Sequence, residues 1–173
     1  MMRSLGQMLR DQTGAAAAEM ALVIPFLLVL MLGSVDLGNY FLSEHVVDKA
    51  VRDASRYAAR LPLAEYTSCT VPSAGPAEQQ TQRVARFGDP SGSGGQRLAG
   101  WAADNMTSVT IACDDGSSGN NWATSGIYTD FPDGAPVVTV KAVVPYKSLF
   151  GTIGLGSATL NLNAESQAAV TGA

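Results

Sequence analysis

Residues 13–35 read TGAAAAEMALVIPFLLVLMLGSV, and Glu19 is the one charged residue among them. A helix that crosses a membrane needs ~20 mostly apolar residues, and the run from Ala15 to Val35 has this length. A carboxylate costs roughly 2.5–3.5 kcal/mol if it reaches the bilayer centre. The position of Glu19 at the edge of this run therefore points to a specific role.

The flanking charges predict how the apolar run is oriented. Arg3 and Arg10 precede it, and Asp36 follows it. Because positive residues stay on the cytoplasmic side, we expect the N-terminal tail inside and the large C-terminal part outside. A cleavable secretory signal carries a small-residue cut site after its apolar region, and residues 33–36 (GSVD) contain no convincing A-x-A site.

Gly14, Glu19 and the apolar run together resemble the class III signal of type IV pilin-like proteins. The stretch GAAAAEMALVIPFLL at residues 14–28 is similar to the TadE family, which contains pilin-like proteins of the tight-adherence (Flp) pilus system. Met20 departs from the family pattern, since many relatives carry an aromatic residue there. The resemblance implies cleavage after Gly14 by a prepilin peptidase, which would make Ala15 the first residue and Glu19 the fifth.

The chemistry of this segment is compatible with such processing. Gly14 has no Cβ, so a protease can approach its backbone closely. Cleavage would leave a free amine on Ala15, and Glu19 could pair with that amine in a neighbouring subunit, which would offset the cost of burying the carboxylate. The alternative is that Glu19 snorkels towards water at the membrane edge.

Beyond Asp36 the apolar residues recur at the spacing of one helical face. Most of them lie three or four residues apart, and charged residues fill the positions between them. The apolar set comprises Leu37, Tyr40, Phe41, Val47, Ala50, Val51, Ala54, Tyr57, Ala58 and Leu61. Pro62 ends the pattern, so we predict one long helix over residues 15–61, membrane-spanning in its first half and amphipathic in its second.

The remainder, residues 62–173, is predicted to form an extracytoplasmic head domain, with residues 1–14 as a cytoplasmic leader. β-Branched and alternating stretches predict three strands that form an antiparallel sheet covered on one face by the long helix. The predicted elements are a helix over Pro76–Phe87, a short helix over Gln96–Asp104 that carries Trp101, and strands over Met106–Cys113, Pro136–Leu149 and Thr159–Val170. The expected fold class is therefore α+β, with a pilin-like layout.

Cys69 and Cys113 are predicted to form a disulfide, because an even pair of cysteines outside the cytoplasm most simply pairs. Two free thiols are the alternative. Two cysteines and one histidine supply too few ligands for a metal site, and we expect no cofactor. The acidic, glycine-containing loop Asp114–Gly134 is read as solvated turns, with calcium binding as the less favoured alternative. Its aromatic residues either pin the loop to the core or form a contact patch.

The sequence does not favour catalysis. His45 is the single histidine, and neither a G-x-S-x-G nucleophile motif nor a phosphate-binding loop is present. The formal net charge of −4 argues against nucleic acid as a partner. We therefore expect a non-enzymatic protein in which His45 is a surface or subunit-contact residue.

The resemblance implies a TadE-like pseudopilin or minor pilin that acts in assembly of a tight-adherence pilus for surface adhesion. The implied partners are a prepilin peptidase, other pilin-like subunits, an inner-membrane assembly platform and membrane lipid. The implied location is the inner membrane, as a single-pass protein with a periplasmic head that enters a surface pilus. The alternative reading is a permanent single-pass anchor whose periplasmic head binds a ligand or an envelope component.

Overall fold

A long helix and a three-stranded sheet make up the fold. The computed structural model describes residues 13–66, 75–102, 106–131, 133–152 and 160–172. Helix α1 covers Thr13–Ala59, and its 47 residues extend over about 70 Å at 1.5 Å per residue. It passes through Pro25 without interruption, and it confirms the predicted long helix.

The two halves of α1 differ in what surrounds them. Met20, Leu22 and Phe26 in the first half are 60%, 71% and 72% exposed, whereas Val47, Val51 and other apolar residues of the second half are fully buried. The second half therefore packs on the head, and the first half projects away from it.

The sheet is an antiparallel meander in the order β1-β2-β3, as predicted. Its strands cover Thr107–Asp114, Ala135–Pro145 and Asn161–Ala169. Ile111 pairs with Val138, and Val138 pairs with Ala168. One face of the sheet joins the buried side of α1 in a single apolar cluster, which includes Val138, Val140 and Leu162. Strand β2 ends at Pro145, four residues before its predicted end at Leu149.

Helix α2 covers Pro76–Phe87, as predicted, with Pro76 in its first turn and Gly88 in the left-handed conformation at its end (φ 77°). Short 3₁₀ turns lie at Leu63–Tyr66, Asn121–Thr124 and Gly126–Tyr128, and a one-turn helix, α3, lies at Leu149–Thr152. The first turn follows α1, the next two lie between β1 and β2, and α3 lies between β2 and β3.

The predicted helix over Gln96–Asp104 is wrong for residues 96–102, which form turns, and Asp104 lies outside the described residues. Gly100 has a φ of 111°, which no helical residue adopts, and the carbonyls that follow it are bound by the buried Arg86. Its Nε donates to the carbonyl of Trp101 (3.2 Å) and its Nη2 to the carbonyl of Ala102 (2.7 Å). The turns place the Trp101 side chain in the core, where it is fully buried.

Candidate functional site

The predicted processing segment lies at the start of α1 and is open to solvent. Gly14, Ala15 and Glu19 are all exposed. A Cβ placed on Gly14 would meet no atom within 4 Å, so nothing in the described part of the fold shields the Gly14–Ala15 bond. Within the described residues, the Gly14–Ala15 bond lies in the first turn of α1 and, like the Glu19 side chain, is exposed to solvent.

The apolar half of α1 has no cover within the described residues. Its most apolar 18-residue window has a mean hydropathy of 2.4, and none of that window is buried. A core helix of a soluble protein would be mostly buried, whereas a membrane span or a secretory signal would show this exposure. The protein therefore carries one N-terminal helix that is long and apolar enough to cross a membrane.

Asp36, the first residue beyond the apolar run, joins α1 to the far end of β2. Its Oδ1 accepts the Leu149 N–H (2.8 Å), and its Oδ2 accepts the Ser148 hydroxyl (3.0 Å). The Tyr146 hydroxyl lies 2.9 Å from the Asp36 carbonyl oxygen and 3.0 Å from Oδ1, and it accepts a hydrogen bond from Asn39. We call Asp36, Asn39, Tyr146, Ser148 and Leu149 the basal latch, since they tie the head to α1 where the apolar run ends.

The electrostatics of the basal latch favour the ionised form of Asp36. The Leu149 backbone N–H, with smaller contributions from the Tyr146 and Ser148 hydroxyls, lowers the pKa of the Asp36 carboxyl. Burial raises the pKa of Tyr146, so its hydroxyl stays protonated and can donate. Because the folded-state pKa of Asp36 is lowered, the carboxylate contributes stability above pH 3.8 that is lost as the pH falls through the lower folded value.

We expect Asp36→Asn to open the basal latch at neutral pH, because an amide offers one acceptor oxygen where the carboxylate offers two. The measurement is the amide proton resonance of Leu149 in detergent micelles. It should move upfield and exchange faster in the variant, and in the parent chain it should titrate with a midpoint below 3.8. Asp89, whose pKa is lowered to about 2 by the Ser91 and Ser93 hydroxyls, should not affect this resonance. A Leu149 amide that is unchanged in Asp36→Asn would contradict the latch.

Of the two cysteines, Cys113 lies in β1 and is disulfide-bonded. Cys69 lies outside the described residues, so the Cys69–Cys113 pairing stays a prediction. A bond at Cys113 would constrain β1 close to the point where it leads into the Asp114–Gly134 loop.

The Asp114–Gly134 loop folds through its own side chains. Asp114 accepts hydrogen bonds from the Gly116 N–H and the Asn120 side chain, and the Ser117 side chain and N–H lower the pKa of Asp115. Among the described residues, no group of three or more His, Cys, Asp or Glu side chains is placed to hold a metal ion. These contacts fit the reading of the loop as hydrogen-bonded turns.

The aromatic residues of this loop divide between the two predicted roles. Tyr128 is buried with Ala123 and Ala135, and its hydroxyl donates to the carbonyl of Val170 (2.6 Å). Trp122 packs edge-to-face on Tyr128 yet stays 45% exposed. Tyr128 therefore pins the loop to the core, while Trp122 presents part of its ring at the surface.

His45 is exposed on α1, beside an open groove of about 360 Å³ that is lined also by Phe41, Glu44, Asp48, Asn163, Ala164 and Glu165. Asp48 pairs with Arg52 (2.8 Å), and Glu165 lies 3.7 Å from Lys141. No hydroxyl or thiol nucleophile lines this groove among the described residues. The arrangement gives His45 the surroundings of a surface residue.

The basal latch is the feature that sequence reasoning missed. Asp36 was interpretable as a flanking charge, and Tyr146 follows it by 110 residues, so no local spacing links them. Pro145 gives a partial local signal, because proline has no N–H to donate to a sheet and β2 ends at this residue.

A model of the family described as TadE-like protein matches residues 14–56 of the chain. The match covers Gly14, Ala15, Glu19 and Asp36 and ends within the buried half of α1. It confirms the resemblance over this helix. The TadE-like family suggests an association with tight-adherence (Flp) pili, and its members are generally structural rather than enzymatic. No curated protein and no solved structure shows significant similarity to the chain.

Proposed function

We propose that this protein is a TadE-like pseudopilin or minor pilin of a tight-adherence pilus, cut after Gly14 by a prepilin peptidase. Before assembly it is held in the inner membrane by the first half of α1, with its head in the periplasm. The observation that carries the proposal is the contrast within α1, whose TadE-like first half is apolar and uncovered while its second half is buried in a head.

This contrast supports an assembling subunit because the same apolar surface suits two environments. In the membrane, the exposed side chains of residues 20–32 face lipid. In a filament, they would pack on the equivalent helices of other subunits, which removes them from water as lipid does. The head stays folded in both environments, since its core uses the second half of α1.

Glu19 has a defined place in this proposal. It is exposed on the first turns of α1, five residues after Gly14, so its carboxylate is available to an amine on another chain. The amine of a processed Ala15 would supply that charge, and a pair of opposite charges costs less to bury than a lone carboxylate. The other implied partners are pilin-like subunits and the inner-membrane assembly platform.

The test is the mature N-terminus, measured by intact mass and terminal sequencing of protein from its own membranes. A chain that begins at Ala15 is expected, and Gly14→Ala should abolish this form because a Cβ hinders the approach of the protease. Gly33→Ala is the matched control, since that glycine lies on the same helix with equally open surroundings. A chain that begins at Met1 or Met2 would overturn the proposal in favour of a permanent membrane anchor.

Glu19→Ala should be processed normally in the same mass measurement and yet fail to support pili. Normal pili in this variant would remove the role proposed for Glu19.

A further inference from the structure

The surface of the head next to the apolar run carries exposed residues that suit a membrane interface. Lys147 and Leu149 are exposed and Phe150 is half-buried, and all three follow β2 directly. Leu149 is 41% exposed even though its N–H is bound to Asp36. We call Lys147, Leu149 and Phe150 the basal patch.

The basal latch fixes the height of the basal patch relative to a bilayer. Asp36 follows Val35, the last residue of the apolar run, and the Leu149 N–H lies 2.8 Å from its carboxylate. The polar interfacial zone on each side of the hydrocarbon core is roughly 5–7 Å thick. If α1 spans the membrane with residues 15–35, the backbone of Leu149 therefore lies within this zone.

The chemistry of the surrounding side chains matches that zone. Amphipathic tyrosines are enriched at membrane interfaces, and the half-buried Tyr40 packs edge-to-face on the buried ring of Tyr146 at 5.2 Å beside the latch. A lysine next to apolar residues places its stem along the acyl boundary and its ammonium among the lipid phosphates. Exposed apolar side chains at this depth can bury into the boundary between headgroups and acyl chains.

We propose that the basal patch inserts into the interface of the leaflet on the head side of the membrane, so that the head rests on lipid as well as on α1. The partner of the basal patch is lipid, because Asp36 lies at the level of the lipid headgroups when α1 spans the membrane. The basal latch holds the basal patch next to Asp36. The inference rests on the membrane-anchored state of the proposed function. It adds a second lipid contact that the subunit must release when it leaves the membrane.

The test uses the full chain in vesicles of phosphatidylcholine and phosphatidylglycerol, with quenching of tryptophan fluorescence by lipids brominated at shallow or deep acyl positions. Phe150→Trp, and Leu149→Trp as a second variant, should be quenched most by shallow bromines, after subtraction of the parent signal from Trp101 and Trp122. Ile127→Trp is the matched control, since Ile127 is 55% exposed and lies near the other end of the head. That end is marked by the bond from the Thr171 N–H to the Ala59 carbonyl, ~35 Å along α1 from Asp36.

Phe26→Trp separates this inference from the proposed function, because Phe26 lies at the middle of the apolar run and should be quenched by deep bromines. Strong quenching at Phe26→Trp with Phe150→Trp and Leu149→Trp no more quenched than Ile127→Trp would overturn the basal patch and leave the anchor intact. Absence of quenching at Phe26→Trp would overturn the anchor and the basal patch together.

Discussion

Replacing Trp101 by alanine should lower the free energy of unfolding of the head by about 3–5 kcal/mol, the range for truncating a large aromatic residue in a well-packed core. Trp101 is fully buried and belongs to the main apolar cluster between α1 and the sheet. Its Nε1 donates to the hydroxyl of Thr107 (3.0 Å), which is itself buried at the start of β1. The truncation therefore leaves a cavity and a buried hydroxyl without its donor.

The measurement is urea unfolding of the full chain in detergent micelles, followed by far-ultraviolet circular dichroism. Trp122→Ala is the matched control, because Trp122 is 45% exposed and its loss should cost about 1 kcal/mol or less. Trp101→Phe should fall between the two, since it keeps most of the apolar volume and loses the bond to Thr107. Equal losses for Trp101→Ala and Trp122→Ala would contradict the placement of Trp101 in the core.

Elements with local signals could be predicted from the sequence. Helix α2 has the predicted bounds because Pro76 and Gly88 mark its ends through their own backbone preferences. The strands follow their β-branched and alternating residues, and α1 follows its apolar spacing. Each of these signals acts between residues that are close in sequence.

Features that depend on distant contacts could not be predicted in this way. Residues 96–102 have helical composition, but Gly100 adopts a φ of 111° and Arg86 binds the carbonyls of Trp101 and Ala102 beyond it. Strand β2 stops at Pro145 rather than Leu149 because the residues after it bend to meet Asp36, more than 100 residues earlier. The local sequence names neither partner, although Pro145 marks where β2 ends.

In the candidate site, too, features carried by neighbouring residues could be predicted, and contacts between distant residues could not. The roles predicted for Gly14 and Glu19 come from a family resemblance that consecutive residues carry, namely the glycine, the acid five residues later and the apolar run behind them. The basal latch has no such local signal, because it joins the middle of α1 to the residues that follow β2. The predicted processing segment thus rests on consecutive residues, whereas the inferred membrane contact of the head rests on contacts between residues far apart in the sequence.

Gly134→Ala should destabilise the head by roughly 3–5 kcal/mol, because a left-handed backbone angle and a steric clash act at the same residue. Gly134 has a φ of +85°, and a Cβ placed on it would lie 1.9 Å from the Asp114 carbonyl oxygen and 2.8 Å from the Asp115 Cα. Both neighbours are backbone atoms, so the clash cannot be relieved by a side-chain rotation. The backbone would have to move where Asp114 pairs with Ala135.

Gly119→Ala isolates the clash from the backbone angle. Gly119 has a φ of +83° in the same loop, and a Cβ there would meet no atom within 4 Å, so its substitution should cost only the ~1–2 kcal/mol of the left-handed conformation. Thermal unfolding of both variants in micelles, followed by tryptophan fluorescence, gives the difference. Because Ala135 is buried with Tyr128 and Ala123, the larger loss in Gly134→Ala should be accompanied by increased quenching of Trp122 by iodide as the loop detaches. Equal losses in the two variants would mean that the Asp114 carbonyl does not lie against Gly134.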